Sequence, residues 1–325
     1  MQKKIAILLI VIMMFASISG CSSKGTAVSN KNIKVLFSVS DGSDSFRNLL
    51  TTDAEDYAKS QNIDLKVMDA AGSIEAQVSH MKEAVSDGYN AILCAPVNSD
   101  TALQLKKAAQ GIPIVFLNSS PSDDTLEKNK YIYVASNEEV AGRYQAEYIA
   151  DYLKNENELK VVLLKGEKKH SATLGRTKAV KDTFKEKGIN VDYVFEDNAN
   201  WSREGAKDMF DVFLSTNRKF DAVICNNDEM ALGVIDSLKE HKIDPEAIPI
   251  VGIDATANAC KAIDDGSMKF TVYQSAKGQA KSAVDAAAQI ISGNDISKLE
   301  NADKDGKHIW VPFEKVDKSN VKQYS

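Results

Sequence analysis

Residues 221–233 read DAVICNNDEMALG. The apolar run Ala222-Val223-Ile224-Cys225 stops at two amides and an acid, Asn226-Asn227-Asp228, and a helical pattern begins at once. A short run that is apolar throughout suits a strand buried on both faces, as in a parallel sheet covered by helices. The polar triplet has two uses. Asn and Asp side chains satisfy the free N–H groups of a helix's first turn. They also hold polar ligands at the carboxyl ends of strands, where open α/β sheets bind them. Both uses stay open for Asn227 at this point.

The junction recurs along the chain. KVLFSV (34–39), DLKVMD (64–69), AILCAP (91–96) and PIVFLN (113–118) are predicted strands. They alternate with amphipathic helical patterns at 45–61, 73–88 and 99–111. A second set follows the same plan. Its strands are predicted at 131–136, 160–166, 191–197, 221–226, 249–254 and 269–274, and its helices at 137–155, 175–188, 202–215, 231–241 and 256–266. A long helix at 276–293 and one last strand, HIWVPFEKV (308–316), close the chain. Apolar strands alternating with helices predict an α/β fold of two doubly wound parallel-sheet lobes.

The first residues have another character. Lys3 and Lys4 precede the apolar stretch Ile5 to Phe15, the pattern of a secretory signal over 1–20. Its end, Ile18-Ser19-Gly20-Cys21, resembles the lipobox of bacterial lipoproteins, which implies lipidation at Cys21. Residues 21–31 then form a lipidated N-terminus and flexible tether. The expected location is extracytoplasmic, anchored to the bacterial membrane. The 325 residues carry a net charge of −6, and the loss of Lys3 and Lys4 makes the remainder more acidic, which argues against a nucleic-acid partner. Cys94, Cys225 and Cys260 sit in or beside apolar segments with no close pair, so zinc is not expected and they fit small core positions.

No Gly-x-Gly-x-x-Gly, no Walker lysine motif and no Gly-x-Ser-x-Gly elbow is present. No cofactor and no catalysis is expected. Instead, several strand ends finish in Asp44, Asn118, Asn227, Asp254 and Gln274, with Phe46 and Trp201 interleaved. Amides and acids between aromatic faces suit a sugar, since each hydroxyl both donates and accepts. Asp44 and Asp254 also fit helix caps, and Phe46 and Trp201 also fit core packing. LLKGEKKHSATLGR adds His170, in an expected loop, and Arg176, at an expected helix start where the dipole gives a cation no help. A ligand oxygen or a surface salt bridge would account for Arg176.

DSFRNLL, IPIVFLNSSP, LLKGEKKHSATLGR, NWSREGAKDMFDVFLS, VICNNDEMALGVIDSLK, VGIDA and GQAKSAVDAA occur in one order over the whole chain after the tether. In this the chain resembles the type I periplasmic sugar-binding proteins, most nearly their glucose/galactose-binding members. The resemblance implies lobes of 32–137 plus 275–309 and of 138–274 plus 310–325, joined by three crossovers with ligand in the cleft. It implies Asp44 and Asn118 on sugar hydroxyls, Phe46 and Trp201 stacked on the two ring faces, and His170, Arg176, Asn227 and Asp254 bonding from the second lobe, with Gln274 near a crossover. Ala172 stands where those members carry an aspartate, and Gln274 where they carry an asparagine, which puts the identity of the sugar in question. Their calcium loop has no match near YLKNENELK, so no metal is expected. The implied partners are a free monosaccharide of the aldohexopyranose type, or another small polyol, and an ABC permease. A chemoreceptor or sensor kinase is the alternative partner, and a monomer is expected.

Overall fold

The computed structural model describes residues 33–154 and 158–324. The expected signal, Cys21 and the tether lie outside them. Two six-stranded sheets form, each wound with helices on both faces. The first contains β1 (Lys34–Val39), β2 (Asp64–Asp69), β3 (Ala91–Cys94), β4 (Ile114–Leu117), β5 (Tyr131–Ala135) and β11 (His308–Trp310), in the order β11-β5-β4-β3-β1-β2 and parallel throughout. The second contains β6 (Glu158–Lys165), β7 (Asn190–Asn198), β8 (Ala222–Cys225), β9 (Ile250–Val251), β10 (Phe270–Tyr273) and β12 (Glu314–Asp317). Its order is β12-β10-β9-β8-β6-β7, with only β12 antiparallel.

The run AVIC explains itself in β8. Val223 and Cys225 join a core with Phe210, Phe213 and Met230, under α6 (Arg203–Ser215), α7 (Asp228–Glu240) and α8 (Ala257–Asp265). Ala222 and Ile224 join Ala141, Phe184 and Phe270 on the other face, under α4 (Glu138–Tyr152) and α5 (Ser171–Glu186). Successive side chains point to opposite faces, so a strand covered on both sides is apolar at every position. The first sheet repeats this. Phe37 and Leu93 pack with Leu50 of α1 (Ser45–Ser60) and Ala283 of α9 (Ala276–Ile291). Leu36 and Ile92 pack with Met81 of α2 (Ile74–Ser86) and Leu105 of α3 (Ala102–Ala108).

The chain passes between the sheets at Ser136-Asn137, at Gln274-Ser275 and at Val311-Pro312-Phe313. The last passage corrects an expectation. HIWVPFEKV is not one strand: its first half is β11 of the first sheet and its second half is β12 of the second. Pro312 has no N–H to give a ladder, so the run breaks there. Strand β11 ends at Trp310, one residue beyond the boundary inferred from resemblance. Strand order turns around between β1 and β3 and again between β6 and β8, which places a crevice at the carboxyl ends of both sheets.

Candidate functional site

The segments that follow the carboxyl ends of strands in both sheets converge on one cavity. Its walls are Asp44, Phe46, Arg47, Asn118, His170, Ala172, Arg176, Trp201, Asn227, Asp254 and Gln274. Every ligand-binding candidate named from the sequence is among them.

In the first lobe, Asp44 caps α1, its Oδ1 accepting from Arg47 N at 2.8 Å. Phe46 is buried in the core cluster that holds Leu50 and also lines the cavity. Asn118 follows β4 in the left-handed region, φ +62°. Its Oδ1 accepts from Arg47 Nε at 3.2 Å, which leaves the amide Nδ2 as the free donor. Arg47 went unnoticed in the sequence. The available signal was a cation on the stripe that also buries Leu50, Ala54 and Ala58.

In the second lobe two expectations change. His170, expected in a loop, sits instead at the start of a helix. It is 7% exposed and caps α5, its Nδ1 accepting from Ala172 N at 3.2 Å. An accepting Nδ1 puts the ring proton on Nε2, and Nε2 has no partner among the described residues. Burial, with help from Arg47 and Arg176, pushes the His170 pKa down to about 3, so the ring stays neutral. Arg176 does not open α5, which starts at Ser171. It lies a turn further in, buried, and its charge is answered by Glu138 at 2.6 Å. It also donates to Asn226 O at 2.7 Å and Gln274 Oε1 at 2.8 Å. With Oε1 taken, Gln274 is left with a buried Nε2 that has no partner among the described residues.

Trp201 has φ +66°, a costly conformation for a bulky side chain. A Cβ on Gly166 would lie 2.1 Å from its ring, so the indole occupies space that only glycine leaves at the end of β6. The ring meets His170 edge-on at 5.3 Å, the Arg176 guanidinium carbon lies 5.8 Å from its centroid, and its Nε1 has no partner among the described residues. Asp254 has φ +126°, and its carboxylate accepts no hydrogen bond from the described residues. Burial holds it well above the usual carboxylate range, against the pull of Arg176.

The opening triplet divides its work. Asn227 caps α7 through Met230 N at 3.0 Å, donates Nδ2 to Trp201 O at 3.3 Å, and lines the cavity. Asn226 accepts from Gly166 N at 3.2 Å. Asp228 accepts from Thr271 Oγ1 at 2.6 Å and from Thr256 N at 2.8 Å. Asn226 and Asp228 therefore hold the loops, and Asn227 both caps and faces the cavity.

The site thus offers two carboxylates as acceptors, donors at Asn118 Nδ2, His170 Nε2, Trp201 Nε1 and Gln274 Nε2, and two aromatic walls. Buried donors without partners cost free energy that a bound oxygen would return. Ser120, beside Asn118, uses its backbone N–H on Ser171 Oγ at 2.8 Å. One group of potential metal ligands, Asp303, Asp305 and His308, stands apart from the cavity. There the His308 nitrogens face Asp305 at 3.1 Å and Asp123 at 3.4 Å. Cys94, Cys225 and Cys260 are free and buried. Among the described residues, no helix is long and apolar enough to cross a membrane.

The sequence matches the family model described as periplasmic binding protein domain over residues 35–295. A putative rhizopine-binding protein of Rhizobium meliloti is 36% identical over 288 residues, covering 86% of this chain and 89% of that protein. A D-galactose/methyl-galactoside binding periplasmic protein of Haemophilus influenzae is 28% identical and covers 98% of each chain. A solved ABC transporter solute binding protein from Bacillus halodurans, with bound myo-inositol, superposes with a TM-score of 0.81 at 26% identity over 91% of this chain and 98% of that one. With this fold and this cavity, the chain belongs to the type I periplasmic sugar-binding protein family, whose members are extracytoplasmic receptors of ABC importers and not enzymes.

Proposed function

We propose that the cavity takes one free six-membered-ring polyol, and that a cyclitol of the inositol type fits it better than glucose or galactose. The supporting observation is the set of unpartnered donors around the ring position, at His170 Nε2, Trp201 Nε1 and Gln274 Nε2. A cyclitol presents a hydroxyl acceptor at every ring carbon, so donors on all sides find partners. Asp44 and Asp254 accept hydroxyl protons, and Asn118, Arg176 and Asn227 complete the rim. The faces of the ring lie against Phe46 and Trp201. Ala172 leaves out the carboxylate that the glucose/galactose-binding members place there, which weighs against those sugars. The structural relative crystallised with myo-inositol points the same way. The second reading, an aldohexopyranose, draws support from the galactose-binding relative that matches from end to end. Calorimetric titration with myo-inositol, glucose, galactose, ribose and xylitol separates them. Saturable binding of myo-inositol with weaker or absent binding of the hexoses is expected, and the reverse order restores the hexose.

Hinge closure of the two lobes traps the ligand, because the closed form gains hydrogen bonds from both. The loaded monomer is then handed to a membrane permease. A chemoreceptor or sensor kinase is the competing destination, favoured if ligand uptake survives deletion of the protein. Lipidation at Cys21 would hold the receptor beside its permease, since two signals are needed for stable anchoring. Mass spectrometry of the mature N-terminus tests it.

A further inference from the structure

Closure of the cleft has a specific electrostatic contact. Among the described residues, one ion pair joins the two lobes: Arg47 Nη2 of α1 lies 3.8 Å from Glu167 Oε1, in the segment after β6. The other ion pairs stay within a lobe. Arg47 has a side-chain exposure of 6%, and among the described residues Glu167 is the only carboxylate within ion-pair distance of it. Its Nε meanwhile orients the Asn118 amide, and the guanidinium lines the cavity. The mouth of the cleft beside Trp201 is walled by both partners. Another polar bridge between the lobes, Ser120 N to Ser171 Oγ, is neutral.

We propose that Arg47 and Glu167 form a latch across the cleft, so that one arginine both positions a cavity-facing amide and holds the lobes shut. When the lobes part, Glu167 leaves with the second lobe, and Arg47 is left with Asn118 and entering water. The closed population then depends on charge although the ligand is neutral. Glu167 keeps 41% of its side chain exposed, so the pair is screened by salt and contributes a factor of about two to five. Arg47 is a positioning residue here. The inference rests on two-lobed closure and not on which polyol binds.

The test needs no ligand. Leu103, near the start of α3, and Leu174, near the start of α5, are exposed on opposite lobes at the cleft end of their sheets, while the three described cysteines are buried. Spin labels at Leu103→Cys and Leu174→Cys report the opening as a distance distribution. From about 0.01 M to about 1 M salt the screening length falls from about 30 to about 3 Å. The closed fraction of the ligand-free protein should fall about two- to fivefold over that range. Glu167→Gln should sit at the high-salt value throughout, and Glu167→Asp should keep part of the salt response. A closed fraction that ignores salt, or that is equal in wild type and Glu167→Gln at low salt, overturns the latch. Salt dependence in the wild type alone decides the matter if the variant does not fold. Failure of myo-inositol to bind would count against the ligand and leave this result standing.

Discussion

The two lobes meet at one cavity but arrive there in different states. The first lobe brings side chains that already have internal work: Asp44 caps α1, Phe46 belongs to the core, and the Asn118 carbonyl is held by Arg47. The second lobe brings deficits. Among the described residues, His170 Nε2, Trp201 Nε1 and Gln274 Nε2 are buried without partners, Asp254 is an unbonded carboxylate held above its usual pKa, and Trp201 and Asp254 have positive φ, a conformation that in the first lobe falls on Asn118, a residue type that tolerates it. Strain and missing partners persist in a fold only where the surroundings enforce them. The contrast teaches that the second lobe is the half prebuilt to gain from a ligand, and the first is the half that closes over it.

Trp201→Ala attacks the comparison at its strongest point. Removing the enclosed indole should cost at least tenfold in affinity, by about 1.4 kcal/mol or more, measured by calorimetry with the ligand that titrates. Gly166→Ala should reproduce much of that loss with the tryptophan still present, because the new Cβ claims the space of the ring.

Asp254→Asn should weaken binding about tenfold while stabilising the ligand-free protein near neutral pH. The folded state holds the Asp254 proton more tightly than the unfolded chain does. Its contribution to stability is therefore lost as pH rises from about 4, the unfolded value, through the raised folded value. His170 has the opposite sign. Its folded pKa of about 3 lies below the unfolded value of 6.5, so stability is lost as pH falls through that window. Between pH 7 and pH 4 the loss should approach about 3 kcal/mol, and denaturant unfolding of His170→Gln should lack it. Asn118→Ala, in the first lobe, should cost only about two- to fivefold in affinity. An Asn118 effect equal to that of Trp201 would remove the asymmetry between the lobes.

The fold was legible because its strands declare themselves. Runs such as AILC, IVFL and AVIC are apolar at every position because they are buried on both faces. The candidate residues were legible because they follow strand ends in a recurring order. What stayed hidden has local causes. Helices are expected to start at Ser, Thr, Asp or Asn, so a cap made by the ring nitrogen of His170 shifted the predicted start of α5 and misplaced Arg176. Arg47 stood among quoted residues, but its partners Asn118 and Glu167 are distant in sequence. The positive φ of Trp201 has no compositional signature, because glycine is the residue that announces such a position and here it is Gly166 that makes the room.

The final passage through Pro312 has a consequence for synthesis. Helix α9 covers one face of the first sheet, and β11 completes its edge, yet both are translated after nearly all of the second lobe. A nascent chain cannot finish its first half until the ribosome has read beyond Trp310. While translation continues, the first sheet therefore lacks an edge strand and a covering helix, and truncation late in the gene should damage the earliest-made part.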